Sequence, residues 1–183
     1  MLKNRAANHF NMEPTAAQQL MIAYLCPRPV VLVSVNEPGH RNIFPMDLIG
    51  PLDRSGLFSL ALRSTNISEP IMRSAGKVAL SNVPAHMKAT VYKLAAHHRQ
   101  PLTDWDALPF AVSPSQALGI PVAAAALRVR ELRVVHSEEI GSHTFFLCHV
   151  VSDETLAEED QLHHTAGFYQ AYRRRWDMPF DEV

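Results

Sequence analysis

Leu127-Arg128-Val129-Arg130-Glu131-Leu132-Arg133-Val134-Val135 and, beyond Glu138-Glu139-Ile140-Gly141-Ser142, His143-Thr144-Phe145-Phe146-Leu147-Cys148-His149-Val150-Val151 are the stretches on which the fold turns. In the first, Leu127, Val129 and Glu131 share one parity and Arg128, Arg130 and Leu132 the other. Successive strand residues face opposite sides, so the second half of Val122 to Val135 reads as a long, partly exposed antiparallel strand. His143 to Val151 is expected to pair with it across Glu138–Ser142. A hairpin of this length favours an antiparallel sheet over a doubly wound parallel one.

The rest of the chain supplies shorter pieces. Val30-Val31-Leu32-Val33-Ser34-Val35, bounded by Pro27-Arg28-Pro29 and Asn36-Glu37-Pro38-Gly39, is too short for a helix and reads as a buried strand ending in a tight turn. Arg41 to Ile49 is extended, with Pro45 restricting it to an edge or bulge, and Gly50-Pro51 closes it. Gly56 to Leu62 and Lys77 to Val83 are further strands. Between them Ser68-Glu69-Pro70 predicts a helix start and Gly76 its end. A helix is expected from Pro14 to Leu25, another from Pro84 to about Ala96, and an ordered surface loop or lid from His97 to Pro114. The tail turns from acidic (Asp153 to Asp160) to basic and aromatic (Tyr172-Arg173-Arg174-Arg175-Trp176) and reads as a solvated helix face. The expectation is one mainly β domain over 1–183, an antiparallel barrel with peripheral helices, its core at about 14–151 and its tail at 152–183.

Composition narrows the function. With 183 residues, 47% hydrophobic and 7 Gly, the chain is neither disordered nor collagen-like. Lys plus Arg (17) nearly equals Asp plus Glu (18), so no basic field exists to collect nucleic acid. Cys26 and Cys148 form no Cys-x-x-Cys pair, which points to a reducing, cytoplasmic setting. The longest apolar stretches, Pro29–Val35 and Ile120–Leu127, are too short to span a bilayer, so no membrane is expected.

Leu62-Arg63-Ser64-Thr65-Asn66-Ile67-Ser68-Glu69-Pro70 carries the most chemistry: a strand end runs through an Arg, two hydroxyls and an Asn into a helix start. Such a corner offers a phosphate a forked cation, short hydroxyl bonds and free backbone N–H groups. The same residues also suit a helix cap, with Asn66 or Ser68 as the capping side chain. The ten histidines lack zinc spacing with Cys partners, so no metal is expected. No Gly-x-Ser-x-Gly elbow marks a hydrolase. Cys148, in mid-strand, reads as a small hydrophobe.

Taken in order, Pro27 to Val35, Gly39-His40-Arg41-Asn42-Ile43-Phe44-Pro45-Met46, Arg63 to Glu69 and Lys77-Val78-Ala79-Leu80-Ser81-Asn82-Val83 resemble the flavin reductase-like, FMN-binding split-barrel (flavoredoxin-like) family over about residues 14 to 151. The resemblance implies a six-stranded Greek-key split barrel that forms a homodimer. It also implies non-covalent FMN, or FAD, at the subunit interface. The implied activity is hydride transfer from NADH or NADPH to the flavin and on to a second acceptor. The alternative is an electron carrier or redox sensor without nicotinamide turnover, with the His97–Pro114 loop over the flavin.

Carried over position by position, Asn42, Phe44, Pro45 and Met46 match the segment whose backbone lines the isoalloxazine. Arg63, Ser64, Thr65 and Asn66 match the segment holding ribityl and phosphate, and Ser81 and Asn82 the strand end beside the same groove. His164 and Tyr169, in a segment similar to one that relatives bring near the flavin, are candidates for the substrate side. No catalytic side chain is assigned. The chain departs from the family where Ala123-Ala124-Ala125-Ala126-Leu127-Arg128 stands in place of an acidic residue and a Cys.

Overall fold

The two edges of the main sheet are joined by only two residues, Asp47 and Leu48, and this decides its shape. The structure is a computed structural model describing residues 27–164. Its strands are β1 (Arg28–Pro29), β2 (Val31–Glu37), β3 (His40–Met46), β4 (Ile49–Pro51), β5 (Leu57–Arg63), β6 (Lys77–Asn82), β7 (Val112–Pro114), β8 (Pro121–Ala123), β9 (Arg128–Ile140), β10 (His143–Thr155) and β11 (His163–His164). Two helices, α1 (Glu69–Ala75) and α2 (Lys88–Lys93), lie between them. Seven strands form one antiparallel sheet in the order β3-β2-β6-β9-β10-β5-β4. Laid flat, its outer strands would be about 29 Å apart. The Asp47-Leu48 link reaches about 10 Å. The sheet therefore curls into a half barrel, and the Leu48 carbonyl accepts from the Ala61 N–H at 2.9 Å on the closing side.

The concave face follows the period-two pattern. Val31, Val33 and Val35 of β2, Phe44 and Met46 of β3, Phe58, Leu60 and Leu62 of β5, Val78 and Leu80 of β6, Leu132 of β9, and Phe146 and Cys148 of β10 form one core with Met72 of α1. Each such side chain contributes about 1.5–3 kcal/mol by burial. The other face of β6 is covered too: Ala79 packs with Ile120, Val122, Ala126 and Val129. Leu32, Ser34 and Ser81 on that same face are also fully buried. Burial on both faces is why Val30–Val35 is apolar at every position but Ser34 rather than alternating.

Several elements differ from expectation. The extended piece read over Arg41–Ile49 splits at Asp47: β3 is an edge strand, as Pro45 requires, and the remainder becomes β4, a seventh strand where six were expected. The long hairpin turns at Gly141-Ser142, with Gly141 at φ +60, and Ile140 pairs with His143. Glu138 and Glu139 are thus in the strand rather than the turn, and β10 runs on to Thr155. Val135–Ile140 of β9 is largely exposed, so its composition imitates a loop.

Register shifts leave Val135 and Val151 unpaired at bulges, both exposed. The helix expected over Pro84–Ala96 is broken into a 3-10 turn (Ala85–Met87), α2 and a second 3-10 turn (Leu94–His98). The helix expected over Pro14–Leu25 and the basic aromatic tail lie outside the described residues. Among the described residues no helix is long and apolar enough to cross a membrane.

Candidate functional site

At the end of β5 the chain leaves the sheet through a tight turn. Arg63 pairs with His143 across the β5–β10 register, and the Ser64 N–H donates to the Ser142 carbonyl at 3.0 Å. The Asn66 N–H returns to the Arg63 carbonyl at 2.9 Å, and Asn66 Oδ1 accepts the Ser68 N–H at 2.8 Å. Asn66 is therefore an Asx turn that feeds α1, and Ser68 makes no side-chain cap. Pro70 in the first turn and Gly76, left-handed at φ +63 with its N–H on the Met72 carbonyl, bound the helix as read.

This geometry leaves Arg63, Ser64 and Thr65 exposed. Among the described residues Arg63 has no carboxylate partner: Glu69 and Glu139 are both taken by Arg73, at 2.5 and 2.9 Å. Burial, with Arg63 as a second cause, lowers the His143 pKa from the ordinary imidazole value. Among the described residues the corner is a cation with two hydroxyls and no carboxylate of its own.

β3 presents the opposite picture. Asn42 is fully buried; its Nδ2 donates to Ser68 Oγ and to the His97 carbonyl, each at 2.8 Å, and its Oδ1 accepts the Ile43 N–H at 3.0 Å. Phe44 and Met46 point into the barrel core, with the Phe44 ring edge-on to His98 at 5.0 Å. What β3 can offer a ligand is its backbone. Pro45 lies opposite Leu32, and its carbonyl is a partner of His98. His98 Nδ1 faces Asn66 Nδ2 at 2.9 Å, so the ring nitrogen accepts. The His98 pKa is lowered chiefly by burial, against the Pro45 bond, and further by Arg63 and Arg99.

Ser81 and Asn82 lie one strand further on, since Leu32 pairs with both Pro45 and Ser81 and Val31 with both Met46 and Asn82. They face opposite ways. Ser81 Oγ is buried with no hydrogen-bond partner, whereas Asn82 Oδ1 accepts from Arg130 at 2.9 Å. The structure therefore links the β3 and Arg63 groups through the Asn42–Ser68 and Asn66–His98–Pro45 bonds. It brings neither β6 side chain to the corner.

His164 is buried on β11, with Nδ1 2.7 Å from Asp47 Oδ2 and Nε2 3.1 Å from the Tyr92 hydroxyl. Arg28 also reaches Asp47, at 2.8 Å. Burial pushes the Asp47 carboxyl up, but the His164 and Arg28 contacts outweigh it and hold the pKa below the ordinary value. Tyr169 lies outside the described residues.

Residue reading weighed His143 and His98 only as metal ligands and did not single out Asp47 or Tyr92. His143 was placed at the start of its strand, but its pairing with Arg63 was not legible; the others too are joined across long separations and leave no local mark. The alanine run that departs from the family pattern is followed on β9 by a buried acidic residue, Glu131. It accepts from Ser115 Oγ at 2.6 Å and from the Ala117 and Leu118 N–H groups at 2.8 and 2.5 Å, fixing the segment over the outer face of β6. Burial pushes the Cys148 thiol up to about 12, as fits a core residue. Among the described residues no three His, Cys, Asp or Glu side chains are grouped to hold a metal ion.

A family model described as a flavin reductase like domain matches residues 23–173. No curated protein matches the chain in sequence. Among solved structures the chain is similar to the Streptomyces globisporus C-1027 NADH:FAD oxidoreductase SgcE6, at 17% identity and TM-score 0.74, covering 86% of this chain and 95% of that one. It is similar to BorF, the flavin reductase component of a bacterial two-component tryptophan halogenase, at 16% identity and TM-score 0.74 over 83% and 94% of the two chains. An FMN-binding protein from Thermus thermophilus matches at 18% identity and TM-score 0.62 over 85% and 82%. At these identities the structures establish the FMN-binding split-barrel fold.

Proposed function

As the chain belongs to the flavin reductase-like domain family, we propose that it is an NAD(P)H-dependent flavin oxidoreductase working as a homodimer, with FMN, or FAD, bound without a covalent link. The observation that carries the reading is the Arg63 corner: a guanidinium without a carboxylate partner among the described residues, beside the exposed Ser64 and Thr65. The donor set fits a phosphate, since a forked cation with hydroxyls makes short charge-assisted bonds. Bound flavin supplies the hydride chemistry.

The chain's own part is binding and orientation. Arg63, Ser64 and Thr65 hold the phosphate end, and the Asn66–His98–Pro45 bonds fix the corner against the β3 backbone. Phe44 and Met46 act through the strand they anchor, because their side chains are spent in the core. Ser81, its side chain buried, and Asn82, its Oδ1 on Arg130, are proposed to flank the groove through the strand end that carries them.

The test is an absorption spectrum of protein incubated with FMN and freed of excess ligand, followed by NADH and NADPH oxidation. Flavin bands with turnover support the reading, and colourless folded protein sinks it. One observation favours the carrier alternative: the Leu94–His98 turn lies along β3 through the Asn42–His97 and His98–Pro45 bonds, where it can cover a flavin. Retained flavin without oxidation of either nicotinamide would select that alternative.

A further inference from the structure

A cavity of about 770 Å³ opens between the β2–β3 turn and the 101–105 loop. Its size is that of a small-molecule site. Five charged or aromatic side chains on its wall decide what it can hold: Glu37, His40, Arg41, Lys77 and Trp105.

Two of them cancel, since Lys77 Nζ lies 3.1 Å from Glu37 Oε1. His40, its pKa lowered by burial, has Nε2 3.4 Å from Ser68 Oγ. Arg41 and Trp105 remain. The Arg41 guanidinium sits over the Trp105 ring, 5.1 Å from its centroid, a contact that orients the fork without using any of its N–H donors. Among the described residues no carboxylate pairs with Arg41. Among the described residues Trp105 Nε1 is buried with no hydrogen-bond partner, an unmet donor until an acceptor arrives. Of these five, the two unspent groups are both donors, and one is a full positive charge. Leu102 and Pro101 make the neighbouring wall apolar.

We propose that this cavity binds a small aromatic molecule carrying one anionic head, a phosphate or a carboxylate, with the head on Arg41 and the body along Trp105. The site is separate from the Arg63 corner and does not depend on the flavin reading. The chemistry comes from two sources, a nucleotide phosphate or an aromatic carboxylic acid.

Calorimetric titration of the full chain, preincubated with FMN, with AMP and separately with benzoate tests it. Saturable binding of AMP alone assigns the phosphate source, of benzoate alone the carboxylate source, and of both the shared chemistry. Arg41→Ala is expected to weaken that binding about tenfold or more, and Arg41→Lys less, because an ammonium keeps the charge but loses the fork. Trp105→Phe keeps a ring but removes the N–H, and is expected to weaken it several-fold. FMN retention, read from the flavin bands, is expected to stay unchanged in all three variants; its loss in the parent chain would strike the flavin reading and leave this one standing. The proposal is overturned if neither probe saturates, if Arg41→Ala binds as the parent does, or if FMN competes with the probe.

Discussion

Asn42 and Arg63 lie on either side of one turn, joined through Ser68 and Asn66, yet they stand in opposite relations to water. Asn42 is fully buried and both ends of its amide are engaged, by Ser68, the His97 carbonyl and the Ile43 N–H. Arg63 is exposed and has no carboxylate partner among the described residues. A buried amide with every bond made holds structure, because a lost partner leaves a desolvated group unpaired. An exposed guanidinium costs the fold little and keeps its donors for a ligand. The difference separates residues that build the corner from residues that can use it.

The largest effect expected from this contrast is at Phe44, the largest fully buried side chain of β3. Phe44→Ala should cost about 3–5 kcal/mol in urea unfolding, as large-to-small core changes do. A loss under about 1 kcal/mol, with FMN binding abolished, would mean that the ring serves ligand rather than core. Next comes Arg63→Ala with Thr65→Ala. FMN affinity should fall about a hundredfold by flavin fluorescence titration, and stability should stay within about 0.5 kcal/mol. Unchanged affinity would place the phosphate elsewhere and erase the contrast. Asn42→Ala should show the reverse, a stability loss of about 2 kcal/mol with a smaller change in affinity than the Arg63 pair.

How much of this was open to residue reading depends on range. β2, β5, β6, α1 and its Gly76 end were legible because period, turn residues and caps are local. Arg63, Ser64 and Thr65 were legible as a polar strand end for the same reason. The division of labour inside Asn42–Met46 was not, because alternation shows that Asn42, Phe44 and Met46 share a face but not which face the barrel turns inward. Nor did Ser68 show that its hydroxyl would accept from Asn42, twenty-six positions away, in place of capping α1. Asp47 was hidden most completely: it is one of two residues between β3 and β4, and its partners, Arg28 and His164, lie on the short β1–β11 pair.

His98 offers the finest test, since it touches both sides of the contrast. Its Nδ1 must be unprotonated to accept from Asn66, and its ring meets Phe44 edge-on. Burial lowers its pKa in the fold, while the unfolded chain titrates near the ordinary imidazole value. Between those two values the unfolded chain binds the extra proton. Stability contributed by neutral His98 is therefore present above the ordinary value and is lost as the pH falls below it, at no more than about 1.4 kcal/mol per pH unit. His40 and His143 are lowered too and give a background slope of the same sign. The quantity to measure is thus the difference between the parent chain and His98→Gln, by urea unfolding above and below the imidazole range. The parent is expected to lose more stability on acidification than the variant. Equal losses would mean that His98 takes up its proton in the folded state as readily as in the unfolded one, and that the corner is not held against β3 by a neutral ring.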